Sequence, residues 1–498
     1  MPKVPDQQTL ENGMKLPEVR AGIVEADSGL EISAEEMRSR IRRRIGELGA
    51  AGMRNRDRFV LWAHPSISFL TDLLAGIELG AVCFVADSQM TPQERASYLQ
   101  SVEPEWESSY ELEEGRKLSE YLADRGQNTT SVRSEIPDDA VLVFHTSGTS
   151  ARPKNVIHRI ENLRARISLG EKALSEKVLA RSLCALPLHF GHGLIGVCLQ
   201  ALFSGQKLIL APRVSMEALS QVSIWVDAHE VTFISGTPAL WSLILRVSKP
   251  TARGTLLRAQ VASAHTGEEL FRSIHRWSGA PVWNVYGMTE AASWVSDCLI
   301  VNAEGAFVAN EAEKNNVGSG RNWGTQFKIL DADDSGVGEV LMSSPSLFAG
   351  YLGQWTKAIG RQEWFRTGDL GRIDAMGSLH LVGRSSRVIN RGGTKVSPEE
   401  VENRIRESAA EFGIEDVVVL EAPSSFGYPG VGVLLVLKGD GSIDSDHVRS
   451  ELERALRLDL SAPKVPSEYR FVKSIPRREN GKPDLFEIGL LWNRLTKG

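Results

Sequence analysis

Over the first 300 residues, short apolar stretches of strand length alternate with stretches of helical spacing, and few folds are compatible with that alternation. The apolar stretches lie at 59–63, 81–85, 141–145, 182–186, 207–210, 231–235 and 282–285. Helical spacing recurs at 66–79, 159–175, 193–203, 215–229 and 238–247, after an earlier helix that Ser33 and Glu36 begin as a capping box. Strands joined through helices form right-handed βαβ units, so the pattern predicts an α/β fold with helix-covered, largely parallel sheets.

The character of the sequence changes twice after this region. Glycine, aspartate and serine become frequent past residue 300, where short apolar pieces at 327–330 and 338–342 predict a β-rich subdomain extending to residue 383. Beyond Gly383-Arg384, a helix from Pro398, strands at 415–420 and 430–437 and a helix near 445–457 predict an α+β unit. We therefore expect a large N-terminal domain at 1–383, a hinge at 384–388 and a small mobile C-terminal domain at 389–498.

Composition argues against several classes of function. The 498 residues carry 57 Lys+Arg against 63 Asp+Glu, a net charge of −6, whereas a nucleic-acid-binding protein needs a basic surface. The four cysteines show no CxxC pair and no zinc spacing, which is typical of a reducing cytoplasm. The N-terminal residues lack a signal-peptide apolar region, and no apolar run reaches the roughly 18 residues of a membrane span. We expect a cytoplasmic enzyme of about three domains that binds neither nucleic acid nor membrane.

A loop rich in glycine and hydroxyl groups follows the apolar stretch at 141–145. It runs from Thr146 to Lys154 and reads Thr-Ser-Gly-Thr-Ser-Ala-Arg-Pro-Lys. Hydroxyls and backbone N–H groups donate to phosphate, glycine permits close approach, and lysine adds positive charge. An ordinary polar loop explains the composition equally well at this point. The Walker A and GxGxxG patterns are both absent, so kinase and Rossmann interpretations lack their motifs.

The loop is the first of five motifs that occur in a fixed order between residues 146 and 482. The others are Asn284–Glu290, Arg366–Leu370, the segment from Gly383-Arg384 through Gly392-Gly393 to 396–402, and Pro476–Lys482. In this order and spacing they resemble the motifs of the acyl-adenylate-forming superfamily. That superfamily comprises acyl- and aryl-CoA synthetases, peptide-synthetase adenylation domains and beetle luciferases. The first 140 residues match it only in general character.

The resemblance implies an ATP-dependent acid–thiol ligase. Such an enzyme joins a carboxylate to AMP, releases pyrophosphate, and passes the acyl group to a thiol. Charge neutralisation and positioning dominate the first step, because an anionic acid meets a polyanionic nucleotide. The implied cofactors are ATP and Mg²⁺. The expected acyl acceptor is coenzyme A, and a carrier-protein phosphopantetheine is the alternative, because both present the same thiol.

The resemblance also implies a role for each motif residue. Lys482 is the expected catalytic lysine, Glu290 the Mg²⁺ ligand, and Thr289 the contact to the α-phosphate. Tyr286 is expected against the adenine, and Asp369 and Arg384 at the ribose. The remaining nucleotide-binding candidates are Thr146, Ser147, Gly148, Thr149, Ser150, Lys154, Ala264, His265, Thr266, Asn284, Gly287 and Met288. Gly392 and Gly393 are expected to line the thiol channel, and Ser386 is the expected hinge residue.

The expected acyl pocket includes Leu186–Leu194, which resembles the family's substrate-side motif. Amino-acid-activating members carry an aspartate where Gly191 stands, so the predicted substrate is an acid without an α-amino group. By analogy the pocket residues are His189, Phe190, Gly191, Ser235, Gly236, Gly287, Ala291 and Ala292, with Trp283 and Trp294 as candidate walls. The small residues either leave volume for an aromatic or polycyclic acid or permit close helix–sheet packing, and the two interpretations are equally supported.

Several positions depart from the family pattern, among them Ser150 in the loop and Ala264-His265 in the expected adenine strand. Ala151 and Asn155 replace glycines around the loop lysine, and Ser386 stands where aspartate or lysine is usual. These departures keep a non-catalytic nucleotide-binding protein open as an alternative, and a luciferase-like oxygenase on the same fold is another. The sequence leaves the oligomeric state and the identity of the acid open.

Overall fold

The computed structural model describes residues 16–108, 136–146, 154–263, 266–308, 316–352, 363–384, 387, 389–391, 394–422, 430–439, 444–460, 464–478 and 481–496. Its largest sheet has eight strands, in the spatial order Ser293–Val301 (β13), Val282–Met288 (β12), Arg258–Ala262 (β11), Phe233–Gly236 (β10), Arg181–Cys184 (β8), Lys207–Leu210 (β9), Gly22–Glu25 (β1) and Glu31–Ile32 (β2). The pairs from β12 to β1 are parallel, and the outermost pair on each side is antiparallel.

A second sheet of six strands carries the start and the end of the predicted phosphate loop. Its order is Gly350–Tyr351 (β16), Lys154–Arg159 (β7), Ala140–Thr146 (β6), Val82–Asp87 (β4), Arg58–Ala63 (β3) and Trp106–Glu107 (β5). The four strands from β6 to β5 are parallel, whereas β7 pairs antiparallel with both β6 and β16. The prediction of largely parallel sheets in an α/β fold is therefore confirmed.

Helices cover both sheets, most of them at positions where the sequence has helical spacing, and the sequence did not predict those at 92–102 and 268–278. They are Ala34–Ala51 (α1), Ile67–Glu78 (α2), Pro92–Val102 (α3), Ile160–Leu179 (α4), Gln200–Ser204 (α5), Met216–Ser220 (α6), Val222–Ala228 (α7), Pro238–Val247 (α8) and Glu268–Ser278 (α9). Ser33 caps α1 as expected, because its side chain accepts a hydrogen bond from the Glu36 N–H at 3.1 Å. Among the described residues, no helix combines the length and apolar character needed to cross a membrane.

Two predicted helices differ from the structure. The segment expected as one α-helix at 193–203 begins as a π-helix at His192–Leu199 and becomes α-helical only in α5. Glycines allow this wide turn to lie close to its neighbours: a Cβ atom at Gly193 would be 2.5 Å from the Pro187 carbonyl oxygen, and one at Gly196 would be 2.5 Å from Ser293 Oγ. The helix expected at 215–229 is divided into α6 and α7 at Gln221.

The β-rich region and the C-terminal unit also form as expected. An antiparallel four-stranded sheet consists of Gln326–Leu330 (β14), Gly338–Ser343 (β15), Phe365–Ile373 (β17) and Leu379–Arg384 (β18). The C-terminal unit contains Ile389–Arg391 (β19), Thr394–Val396 (β20), Ile414–Ala422 (β21), Gly430–Leu437 (β22), Glu468–Phe471 (β23), Pro398–Glu407 (α10), Ala409–Phe412 (α11), Ser445–Asp459 (α12) and Leu485–Thr496 (α13). It has apolar clusters of its own.

Arg387, inside the segment predicted as a hinge, is tied to the C-terminal unit. Its guanidinium donates to Glu399 Oε1 and Glu402 Oε1, both at 2.7 Å, and to the Val419 carbonyl at 2.9 Å. The Glu402 side chain is only 4% exposed, so this is a largely buried ion pair. Residue 387 therefore belongs to the C-terminal unit, and any pivot between the two parts lies before it.

We expect Arg387→Met to destabilise the C-terminal unit by about 3 kcal/mol or more, because it leaves the buried Glu402 carboxylate without its main counter-charge. Hydrogen exchange of the β21 and β22 amides should accelerate accordingly. Arg404→Met is the matched control, since Arg404 pairs with Glu407 at the surface and such pairs contribute about 0–1 kcal/mol. Equal exchange rates in the two variants would contradict the anchoring role of Arg387.

Candidate functional site

The C-terminal end of the predicted phosphate loop and the Thr-Glu motif lie side by side. The Lys154 ammonium is 4.6 Å from the centroid of the Tyr351 ring, and the Tyr351 hydroxyl donates to Glu290 Oε1 at 2.7 Å. One aromatic side chain therefore contacts both the cation and the carboxylate that the sequence assigns to phosphate and metal binding. Tyr351 itself belongs to no recognised motif, and no sequence signal singles it out.

Backbone hydrogen bonds of the segment 348–352 fix this arrangement. The Phe348 N–H donates to the Glu290 carbonyl at 2.7 Å, and the Leu352 N–H donates to the Asn155 carbonyl at 2.9 Å. Between them, Tyr351 pairs with Val156 across β16 and β7. The segment therefore connects the large sheet to the six-stranded sheet and holds Tyr351 between Lys154 and Glu290.

Asp369 is positioned next to Tyr286 on the same side of the molecule. The Tyr286 hydroxyl donates to Asp369 Oδ2 at 2.5 Å, and the Asp369 side chain lies largely buried in β17, with its Cα opposite that of Arg384 in β18. Tyr286 lies in β12 and Glu290 two residues beyond its end, so the Tyr286–Asp369 pair and the Lys154–Tyr351–Glu290 contacts start from positions four residues apart in the chain. Asn284, a predicted nucleotide contact, donates instead to the Asn316 carbonyl at 3.0 Å and ties β12 to the following segment.

The loop that contains Lys482 contacts the N-terminal domain. The Gly481 N–H donates to the Arg478 carbonyl at 2.8 Å and the Arg478 N–H donates to the Lys482 carbonyl at 2.9 Å, which closes a tight turn. Gly481 has φ +77°, and a Cβ atom there would be 2.7 Å from the Cβ of Ala239. Ala239 lies in the first turn of α8, three residues after Gly236, so the turn that precedes the exposed Lys482 contacts the chain next to the predicted acyl pocket.

The acyl-pocket candidates divide between two neighbourhoods. His189 lies 3.6 Å from Asp87 at the end of β4, on the side of the phosphate loop, with its ring 4.0 Å from that of Phe190. Burial lowers the pKa of His189. Asp87 raises this pKa, whereas the neighbouring His145 and Arg213 lower it further. His192, at the start of the π-helix, instead contacts Ser235, Ser263 and Trp294. Gly191, the residue before His192, has open space where a side chain would begin.

His192 is an uncharged, hydrogen-bonded residue of the interior. One ring nitrogen, Nε2, lies 2.8 Å from Ser235 Oγ, the other, Nδ1, lies 3.3 Å from Ser263 Oγ, and its ring centroid is 5.5 Å from that of Trp294. Complete burial lowers the pKa of His192 to about 3. The imidazole is therefore neutral at physiological pH and serves as a hydrogen-bonding group rather than a charge.

A row of buried polar side chains extends from Ser235 across the large sheet. Gln260 Nε2 donates to Ser235 Oγ at 3.4 Å, Arg258 Nε donates to Gln260 Oε1 at 2.6 Å, and Arg258 Nη2 donates to Asp297 Oδ2 at 2.6 Å. Sequence reasoning missed this row. The available signal was the placement of Arg258 and Gln260, two residues apart, within the otherwise apolar strand β11.

Close packing, rather than spare volume, explains two of the small pocket residues. A Cβ atom at Gly236 would be 2.9 Å from Trp241 Nε1, and one at Gly287 would be 2.2 Å from the Ser293 carbonyl oxygen. Ala291 and Ala292 are fully buried. Of the two interpretations that the sequence left open, these contacts favour packing at Gly236 and Gly287.

The other candidates are placed as follows. Thr266 is buried just before α9, Met288 ends β12, and Thr289 begins a 3₁₀ turn at Thr289–Ala291. For Thr146 and Arg384 the structure describes the backbone in β6 and β18. Nine candidates lie outside the described residues: Ser147, Gly148, Thr149, Ser150, Ala264, His265, Ser386, Gly392 and Gly393.

The donor set around Glu290 fits a metal ion that is bound mainly through a substrate. Among the described residues, no cluster of three or more His, Cys, Asp or Glu side chains could hold a metal ion by itself. Mg²⁺ keeps several waters and is commonly bound by one or two carboxylates together with phosphate oxygens. Glu290, close to Lys154, supplies one such carboxylate.

The sequence and the fold are both similar to those of known proteins. Residues 11–352 match the family model described as AMP-binding enzyme. A probable CoA ligase of Humulus lupulus is 29% identical over 377 residues, which are 70% of this chain and 65% of that protein, so this chain spans slightly less than two thirds of it. The 2-succinylbenzoate–CoA ligase of Listeria monocytogenes is 27% identical over 91% of this chain and 93% of the ligase. The crystal structure of ATP-bound MatB from Rhodopseudomonas palustris has a TM-score of 0.78 at 21% identity and covers 97% of both chains, which shows a shared fold.

The lowered pKa of His192 predicts a pH dependence of stability. Between its ordinary pKa of 6.5 and the folded value of about 3, the unfolded chain binds the proton and the folded chain does not. Stability is therefore lost as the pH falls through that window. We expect His192→Asn to lose less stability than the wild type between pH 6.5 and 4, measured as the unfolding temperature against pH. The control is His447→Asn, an exposed position on α12. Superimposable slopes for the wild type and His192→Asn would contradict a neutral buried imidazole.

Proposed function

The chain belongs to the family of AMP-binding enzymes, and we propose on this premise that it is an ATP-dependent ligase that joins a carboxylic acid to a thiol. Two sets of contacts at and just beyond the end of β12 support the proposal: Tyr351 contacts both Lys154 and Glu290, and Tyr286 donates to Asp369. A cation and a carboxylate for the phosphates thus lie beside a carboxylate suited to a sugar, as a bound nucleotide requires.

The proposed reaction has two steps. The acid carboxylate attacks the α-phosphate of ATP and forms an acyl-AMP anhydride, and the bond to pyrophosphate breaks. A thiol, deprotonated as it attacks, then displaces AMP and leaves the acyl group as a thioester. We propose coenzyme A as the acceptor, and a carrier-protein phosphopantetheine remains the alternative.

We assign each residue of the convergent site a part in nucleotide binding. Lys154 is proposed to neutralise the phosphates, and Glu290 to hold Mg²⁺, which supplies further neutralisation of phosphate charge when bound. Asp369 is proposed to accept hydrogen bonds from the ribose, with Tyr286 against the adenine. Fixed groups of this kind stabilise charge that develops in the transition state without reorganising.

We propose that Lys482 joins this site from the C-terminal unit. Its loop lies against the first turn of α8, on the acid side of the nucleotide site. A lysine there is suited to the negative charge that develops between the acid carboxylate and the α-phosphate. Since Arg387 is bound to the C-terminal unit, we further propose that this unit rotates about the residues preceding Arg387.

The proposed substrate is a small acid without an α-amino group. Gly191 stands where a carboxylate would be required to pair with a buried ammonium, and leaving that ammonium unpaired would cost several kcal/mol. The succinylbenzoate of the Listeria relative is an acid of this kind. We also propose a cytoplasmic location, because the four cysteines are free thiols.

Exchange of labelled pyrophosphate into ATP tests the proposal directly. Exchange that depends on an added acid is expected for adenylation, and thioester formation on adding coenzyme A is expected for the second step. Binding of ATP with no exchange across a wide panel of acids would instead support a nucleotide-binding protein. Light emission or oxygen uptake would support an oxygenase.

Lys482→Ala should lower the rate of adenylation by roughly 10²–10³, as the loss of a donor to transition-state charge does. Thioester formation from supplied acyl-AMP should be spared, because the lysine acts on the first step alone. Lys473→Ala, an exposed lysine of the same unit, is the control. Equal losses in both half-reactions would mean that Lys482 has a structural role.

Asp369→Ala should raise the KM for ATP by about 10–10², the loss expected for hydrogen bonds to a charged group. The order of preference among acids should be retained, because the residue is assigned to the nucleotide. Asp334→Ala, in an exposed turn of the same β-rich region, is the control. A changed order of acid preference would contradict the placement of Asp369 at the ribose.

A further inference from the structure

Arg166, on the inner face of α4, is a buried cation with no hydrogen-bond partner among the described residues. Its side chain is 1% exposed, and Nε, Nη1 and Nη2 all lack partners. The guanidinium carbon is 4.5 Å from the centroid of the Trp323 ring and 5.5 Å from that of Trp294. Stacking on two rings offsets part of the cost of burial, but it satisfies none of the five N–H donors.

The charges around Arg166 do not balance. The nearest carboxylate that acts on it is Asp297, and Oδ2 of Asp297 already accepts from Arg258 Nη2 at 2.6 Å. The side chains of Arg258 and Asp297 are 5% and 6% exposed. Among the described residues around Arg166, two arginines and one aspartate leave one net positive charge. Burial lowers the pKa of Arg166 only to about 9, so it is charged at neutral pH.

Two neighbouring groups are also donors without acceptors. The indole nitrogens of Trp294 and Trp323 are buried and have no hydrogen-bond partner in the part of the chain that the structure describes, and an indole N–H can only donate. The two rings lie 6.1 Å apart between their centroids. An anion at this position would receive hydrogen bonds from the guanidinium and would find these donors close by.

The position of Trp294 connects this unpaired cation to the acyl pocket. The centroid of the Trp294 ring lies 5.5 Å from that of the His192 ring, and His192 Nε2 is hydrogen-bonded to Ser235. The π-helix brings its backbone against the same ring, since a Cβ atom at Gly196 would be 3.0 Å from Trp294 Cζ2. Arg166 and His192 thus contact the same Trp294 ring, which places Arg166 beside the predicted acyl pocket.

We propose that the acid carries a second anionic group, a carboxylate or a sulfonate, at its far end, and that Arg166 binds this group. The planar guanidinium presents two parallel N–H donors, which match the two oxygens of either anion. The inference rests on the proposed ligase function, because it names the class of acid that the pocket accepts. The neutral His192 then contacts the middle of the acid without adding charge.

The test compares acids that differ only in the far group. Pyrophosphate exchange is measured for the dicarboxylates from oxalate to suberate, for the three benzenedicarboxylates and for ω-sulfonated acids, each against its half-amide or unsulfonated partner. The wild type should show kcat/KM at least ~10² higher for the best dianionic acid than for its neutral partner, because a buried charge is otherwise left unpaired. This ratio does not depend on the folding of any variant.

Arg166→Met keeps an unbranched apolar side chain between the two tryptophans and should bring the ratio close to one. Arg166→Lys should restore part of it, since lysine keeps the charge but not the paired donors. Arg95→Met is the matched control: Arg95 also stacks on a tryptophan, Trp62 at 4.2 Å, but it pairs with Glu107 far from this site. The control should retain the wild-type ratio.

The possible results separate the two proposals. Two results would overturn the inference and leave adenylation standing. One is exchange that is as fast with acids whose far group is uncharged as with dianionic acids. The other is a ratio of kcat/KM values that Arg166→Met leaves unaltered. Exchange with no acid of either series would contradict the ligase function and the inference together.

Discussion

The parallel register of the large sheet determines where the chemistry of this protein can occur. Ser235 pairs with Gln260, which pairs with Trp283, so β10, β11 and β12 end at the same edge. Ligands of open parallel sheets bind outside the carboxyl ends of the strands. Gly236, Tyr286 and Glu290 all lie at or beyond that edge. The loop containing Lys482 and the segment 348–352 then approach from other parts of the chain.

Strand β12 separates the two halves of the site. Side chains alternate along a strand, so neighbouring residues face opposite sides of the sheet. Tyr286 packs with the β-rich region and reaches Asp369, whereas Val285 packs in the main core on the side of Trp294 and His192. The nucleotide and the acid are therefore proposed to bind on opposite sides of one strand and to meet at Glu290.

Local patterns predicted many elements of the fold, because strand and helix periodicities depend on neighbouring residues. They missed the strands β7, β11 and β13 and the helices α3 and α9. The motifs likewise predict one nucleotide site for Lys154, Glu290 and Asp369, and Lys154 and Glu290 both contact Tyr351 in the structure. The Tyr351–Glu290 hydrogen bond joins residues 61 apart in the chain, and such contacts depend on a sheet register that no short motif records. The π-helix escaped prediction because its run of apolar residues fits an α-helix as well.

Arg166 shows why the chemistry of the acid side was hardest to predict. In the sequence it is one of two arginines in a helix with polar and apolar residues, typical of a solvated face. The packing of α4 against Trp323 and Trp294 buries it, and the pairing of Arg258 with Asp297 leaves it without a carboxylate partner of its own among the described residues. An apolar residue of similar volume would make the free protein more stable. A buried cation that lacks a partner costs stability in the free protein, and a bound anion removes that cost, so the same group that weakens the empty fold favours the occupied one.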